Sequence, residues 1–205
     1  MSDYDIELIK DIFARLFVLA IHQKTNLSAF THMFERSKFV RKIEIGTYDV
    51  YFNKSIVDIF NEITGISIDE DTSYGIYNDA YWSGFSYYNL FLKTHKSFSY
   101  LFLKLPLNKM LDIYSIFHEM DTSSLVKYFF EIANKKTILR LLCEEKNISI
   151  SKLSNQVEIS ANTLAKYNAS DDALYNGSFM NIMKLVKYFD VPPSLFEKEL
   201  IYFIL

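Results

Sequence analysis

Ile148-Ser-Ile-Ser-Lys-Leu-Ser-Asn-Gln-Val-Glu-Ile-Ser-Ala-Asn-Thr-Leu-Ala-Lys-Tyr167 is the stretch on which the fold reading turns. Ser149 stands where an N-cap is wanted, and Leu153 and Val157 follow it four residues apart, which predicts a short helix with one apolar face. Ser160 repeats the signal for a helix over 161–167, with Leu164 turned inward. Only Glu158 and Ile159 separate the two. A tight turn must therefore hold both helices at a steep angle while their inner faces share one core.

Working outward, Ile138, Leu139 and Leu142 predict a helix before this pair, ending near Lys146-Asn147. After it, Ser178 caps a helix carrying Ile182, Met183, Leu185 and Val186 inward, and Pro192-Pro193 opens a last one. Five short, well-punctuated helices thus fill residues 135–205.

The quoted stretch resembles the Cro/C1-type (Xre-like) helix-turn-helix domain, and Lys184-Leu-Val-Lys-Tyr-Phe-Asp-Val-Pro192 resembles that family's fourth and fifth helices. The resemblance covers about the last third of the chain. It implies that the third of the five helices lies in the major groove. The base-facing candidates are then Ala161, Asn162, Thr163 and Lys166: Asn162 for adenine, Thr163 for a thymine methyl or a phosphate, Lys166 for guanine or phosphate. Ser149 and Ser160, at helix N-termini, are the phosphate-contact candidates.

The chain departs from the family pattern in three ways. Glu158 occupies the turn position usually held by Gly, so it must adopt a left-handed backbone or reshape the turn. Ile150 replaces a frequent Gln at the start of the second helix and removes a phosphate contact. From Lys135 onward, nine Lys and Arg face eight Asp and Glu, a net of +1. DNA affinity rests largely on neutralised phosphates, so a domain this neutral needs a second copy to bind well, and a homodimer is expected.

Upstream, almost every segment reads as helix. Ile6, Ile9, Ile12, Phe13, Leu16, Phe17 and Ala20 recur at helical spacing with Asp3 as a cap, and Asn26 or Ser28 opens the next element. Residues 39–52 mix strand-favouring Ile43, Ile45, Val50 and Tyr51 with an interrupting Gly46; both helix and strand remain open there, and we lean to helix. Ser55 caps a helix through Ile63. Residues 67–75, rich in acid and hydroxyl groups, form the linker candidate. Residues 77–93 are aromatic on every side, which predicts contacts on at least two faces and puts Tyr81, Trp82 and Phe85 in the core. Ser97 caps a helix through Leu103, Pro106 opens one running to His118, and Asp121, Thr122 or Ser123 opens another through Ala133. The expected organisation is all-α: a helical region over 1–66, an aromatic-rich one over 76–134 that could form one domain with the first, and the helix-turn-helix domain over 135–205.

The composition narrows the function. The 205 residues carry 22 Lys and Arg against 25 Asp and Glu, a net charge of −3, so residues before 135 carry −4 and will not grip nucleic acid by charge alone. Half the residues are hydrophobic and 17% aromatic, too many for a disordered chain. A single Cys, Cys143, excludes an internal disulfide and a thiolate zinc site, and reads as a small core residue. The four His residues are scattered, and His118-Glu119 is followed by Thr122 where a helical zinc motif needs a second His. No phosphate-cradling Gly loop or nucleophile elbow occurs, so we expect no enzyme, no cofactor and no metal. The longest apolar run, 12–21, contains Arg15 and is too short to span a bilayer. The acidic start, Met-Ser-Asp-Tyr-Asp, is unlike a secretory leader, and the cytoplasm is the expected location.

Two further stretches bear on partners. Residues 17–63, with Thr25-Asn-Leu-Ser, Met33-Phe34, Tyr48-Asp-Val and Ser55-Ile-Val-Asp-Ile, are similar to small bacterial proteins encoded beside toxin-like genes. Ala80-Tyr-Trp-Ser-Gly-Phe-Ser-Tyr-Tyr, Ser97-Phe and His118-Glu-Met-Asp121 resemble another protein of such operons. The resemblance implies a toxin-binding region joined to a DNA-binding domain: the antitoxin of a toxin-antitoxin pair, with operator DNA, a cognate toxin and a second copy as partners. The alternative is a protein-interaction module whose last domain no longer meets DNA, and the apolar tail Leu200-Ile-Tyr-Phe-Ile-Leu205 belongs to that reading.

Overall fold

A computed structural model describes residues 3–68 and 77–200 of the chain. The described residues are helical throughout and contain no strand. The linker candidate over 67–75 lies almost wholly outside them, as does the tail beyond Leu200.

The core is organised around α1 (Asp3–His22), whose Phe13, Leu16, Phe17, Leu19 and Ala20 are fully buried. A helix apolar on this much of its circumference must be covered on several sides. α2 (Leu27–Arg36), α3 (Lys38–Glu44), α4 (Ile56–Thr64) and α5 (Asn78–Thr94) cover α1, together with α6 (Phe98–Lys104). The Phe13 ring lies 5.2 Å from Phe34, 5.4 Å from Phe39, 5.1 Å from Tyr88 and 4.9 Å from Phe98. Such ring pairs add roughly 0.5–1.5 kcal/mol each to their area burial, so Phe13 is an energetic hub of the fold.

The helix starts follow the side-chain oxygens that cap them. Asn26, not Ser28, accepts from the Ala29 N–H at 3.0 Å to open α2, and Ser55 accepts from Asp58 N–H at 3.1 Å to open α4. The 39–52 stretch resolves as α3 followed by a left-handed Gly46 and a 3-10 turn, Asp49–Tyr51. Of the three aromatics expected in the core, only Trp82 packs against it, half-buried, while Tyr81 is exposed and Phe85 half-buried. The face of α5 against α1 is Ala80, Gly84, Tyr87, Tyr88 and Phe91, while Tyr81 is 40% exposed and donates to Asp11 Oδ1. The reason is steric: the two helices approach so closely that the contact face begins with residues having almost no side chain.

The segment expected as one helix from Pro106 to His118 breaks at Ile113 into α7 (Leu107–Asp112) and α8 (Tyr114–Phe117). His118 Nδ1 lies 2.9 Å from Tyr114 O and its ring stacks on the Tyr114 ring, so it closes the C-terminal end of α8. α9 (Thr122–Ala133) opens on Asp121, whose carboxylate accepts from Ser124 N–H at 2.8 Å.

Residues 138–200 form α10 (Ile138–Glu145), α11 (Ile150–Val157), α12 (Ala161–Ala169), α13 (Asp171–Tyr175), α14 (Phe179–Phe189) and a 3-10 turn, Pro193–Phe196. Two differences from expectation stand out. Ser170 opens the additional α13, and the element after Pro192 is 3-10 rather than α. This block is joined to α3 and α6 by polar contacts. Buried Glu44 accepts from the Phe98 N–H at 2.8 Å and bonds Ser194, and its burial pushes the carboxyl up to about 7. Lys96 donates to Lys198 O, Leu200 N–H donates to His95 O at 3.0 Å, and Arg36 pairs with Asp190. Leu200, the first residue of the apolar tail, is buried.

Candidate nucleic-acid interface

The geometry of α11, the turn and α12 follows from a few side chains. Ser149 Oγ accepts from Lys152 N–H at 3.3 Å and Ser160 Oγ from Thr163 N–H at 3.2 Å, fixing both helix starts. Ser154 Oγ donates to Ile159 O at 2.6 Å and ties α11 to the turn. Leu153, Val157, Ile159, Leu164 and Tyr167 are buried and share the core with Leu139, Leu174 and Leu185. Ile150, the first residue of α11, packs half-buried against that core and offers nothing polar.

Glu158 takes the left-handed backbone at φ 53° and bears the strain of the turn. Lys184 on α14 donates to Glu158 O at 3.1 Å and lies 3.7 Å from its carboxylate, holding the residue in place. Left-handed backbone costs a side-chain-bearing residue roughly 1–2 kcal/mol, and Gly escapes that cost. Glu158→Gly is therefore expected to raise stability by about 1 kcal/mol, since the backbone bond to Lys184 survives. Urea denaturation followed by circular dichroism checks this through a higher midpoint at unchanged slope.

Of the six residues proposed from sequence, Ser149, Ser160, Ala161, Asn162 and Lys166 are exposed. Thr163 is half-buried, and its hydroxyl lies 2.8 Å from that of Ser160, so it braces the helix start before it can serve a ligand. Asn162 and Lys166 lie one turn apart on α12 and make no side-chain hydrogen bond or ion pair among the described residues. Ala161 and Ala165 flank them, leaving this face low. Neither α11 nor α12 contains an Asp or Glu, while each carries an exposed Lys, Lys152 and Lys166.

That local balance is hidden in the +1 of the whole segment. Four of its eight acids are engaged away from this face, Glu144 with Lys136 and Arg140, Asp171 with Lys104, Asp172 with Lys198, and Asp190 with Arg36, while Glu158, in the turn itself, is paired with Lys184. Sequence reading also missed an apolar pair at the start of α14, Phe179 and Met180, which are 75% and 66% exposed. Their signal was available, because both fall off the Ile182, Leu185 and Val186 stripe that turns α14 inward. The adjacent Asn181 side-chain amide lies 3.4 Å from the Tyr167 hydroxyl of α12.

Among the described residues no group of three His, Cys, Asp or Glu is placed to hold a metal ion, and no helix is long and apolar enough to cross a membrane. No protein-family model, curated protein or solved structure matches the chain.

Proposed function

We propose that the chain is a sequence-specific DNA-binding regulator of the helix-turn-helix type, acting as a homodimer, in which α12 enters the major groove. Its remaining helices would hold a protein partner, the toxin of a toxin-antitoxin pair. The observation that carries the reading is the outer face of α12. It presents an uncommitted amide and an uncommitted ammonium one turn apart, on a pair of helices without a carboxylate. An amide suits the donor and acceptor edge of adenine and an ammonium suits guanine or phosphate. The Ser149 hydroxyl accepts from the backbone and keeps its own hydrogen for a phosphate oxygen, whereas the Ser160 hydroxyl already shares a hydrogen bond with that of Thr163.

The test is fluorescence anisotropy on DNA from upstream of the chain's own gene, beside a scrambled duplex, over a salt series. A preference for the native duplex with a steep salt dependence is the expected result. Asn162→Ala with Lys166→Ala is expected to weaken binding by roughly 1–3 kcal/mol for each true base contact, and to narrow the gap between the two duplexes. A double variant that binds as tightly as wild type overturns the assignment of α12. Phe179 and Met180 favour a second reading, an interaction module that binds protein through the start of α14. Equal and weak binding to both duplexes would decide for it.

A further inference from the structure

α2, the α6–α7 corner, α10 and the end of α14 leave a cleft of about 800 Å³ between them. That lies within the roughly 300–1,000 Å³ of small-molecule sites, and a joint between packed units is where such sites tend to form. Leu27, Leu103 and Leu107 form one wall, and Leu141, Phe189 and Leu195 the other. A cleft of this lining takes an apolar body.

Its polar groups are unbalanced. Glu35, Glu144, Glu145 and Asp190 face one lysine, Lys146. Most of these charges are already committed. Glu144 is held by Lys136 and Arg140, Asp190 by Arg36, and the Lys146 ammonium donates to Tyr188 O at 2.8 Å and lies 5.0 Å from the Tyr188 ring centre. Glu35 and Glu145 make no hydrogen bond or ion pair among the described residues.

The setting of Glu35 is adverse for an anion. It is the penultimate residue of α2, where the negative end of the helix dipole opposes a carboxylate. Burial pushes its carboxyl up to about 8, Glu145 and Glu44 push the same way, and only neighbouring Arg36 opposes. His32, one turn earlier on α2, also lines the cleft. A strongly perturbed acid in an apolar cleft, without a partner, is a mark of a binding group.

We propose that this cleft binds a small molecule with an apolar body and one primary ammonium group, the ammonium meeting Glu35 and Glu145. The apolar walls select the body and the two uncommitted carboxylates select the cation. In the free protein the Glu35 carboxyl carries its proton near neutral pH; the arriving ammonium favours the carboxylate, and that proton passes to solvent. Binding is therefore stronger at higher pH. It does not depend on whether α12 meets DNA.

Isothermal titration calorimetry of the full chain with hexylamine, 1-hexanol and hexanoate tests this. Hexylamine is expected to bind saturably, at least tenfold tighter than 1-hexanol, with hexanoate weakest. Its affinity should rise by up to about tenfold per pH unit from pH 6 to 8 and flatten above, because that is the range in which the Glu35 proton must leave. Glu35→Gln is expected to bring hexylamine down to the affinity of 1-hexanol and to abolish the pH dependence. Equal affinity of the wild type for hexylamine and 1-hexanol, no saturable binding of hexylamine up to millimolar concentration, or a Glu35→Gln protein that keeps its amine affinity overturns the proposal. The comparison of amine with alcohol on wild type decides the question even if the variant does not fold. A failure of the DNA experiment leaves all of these readings unchanged.

Discussion

Lys104→Met is expected to lower the stability of the chain by roughly 3–5 kcal/mol, the cost of removing one partner of a buried ion pair. The side chain ends α6, only 1% of it is exposed, and its ammonium has an acceptor for each of three hydrogens. It donates to Ala133 O at 3.1 Å, to Lys136 O, and to Asp171 Oδ2 at 3.1 Å. The carbonyl of Ala133 closes α9, so the cation lies at the negative ends of two helices. Asp171 is in the first turn of α13, and its other oxygen accepts from the first N–H of α10, that of Ile138, at 2.7 Å, so the anion lies at two positive ends. Met fills much of the same volume and can satisfy none of the three acceptors. Asp171 is itself 22% exposed and keeps its bond to Ile138, which places the expected loss toward the lower end of the range. Urea denaturation measures it, and a double variant with Asp171→Asn separates the pair from its surroundings. If the two substitutions act through this contact, the double variant loses clearly less than the sum of the singles. Full additivity would mean that the two groups stabilise the fold independently.

Lys104 also marks the boundary of what could be read from the sequence. Ser55, Ser97, Ser149, Ser160 and Ser178 were legible as helix starts because a cap acts on an N–H three residues away, within reach of local inspection. The exposure of Asn162 and Lys166 was legible for a similar reason, since Leu164 and Tyr167 fix which side of α12 turns inward. The break at Ile113 was not, because no proline or glycine announces it; α13 was missed although Ser170 caps its start and Gly177 follows its end. The α5 core face was misread because aromatic content was taken as a guide to burial; close approach to α1 selected Ala80 and Gly84 instead. Lys104 with Asp171, and the four elements around Glu35, bring together residues far apart in the chain. Their relation exists only once the helices are packed.

Gly84→Ala is expected to destabilise the chain by roughly 1–3 kcal/mol, although local helix chemistry alone calls for the opposite sign. Gly in a helix interior is about 1 kcal/mol less favourable than Ala, so an unobstructed α5 would gain from the change. The obstruction is the backbone of α1. A methyl group at position 84 would sit 2.5 Å from Phe13 O and 2.8 Å from the Ala14 Cα, closer than non-bonded atoms approach. A flexible side chain could turn aside, but main chain can yield only by moving the helix. Here α1 is held from other sides by the rings around Phe13 and by Phe17 against Phe30, at 5.3 Å, and Phe34, at 5.4 Å. Shifting it would disturb the whole aromatic cluster, and overpacking of this kind typically outweighs the gain in propensity. Thermal and urea denaturation of Gly84→Ala give the sign directly. A lower midpoint means that close contact of α1 and α5 at Gly84 governs this part of the core. A higher one means that the helices stand further apart and that α5 is limited by its own backbone entropy. A larger side chain sharpens the distinction: Gly84→Leu should yield little folded protein if the contact is tight, since no rotamer removes the Cβ from Phe13 O.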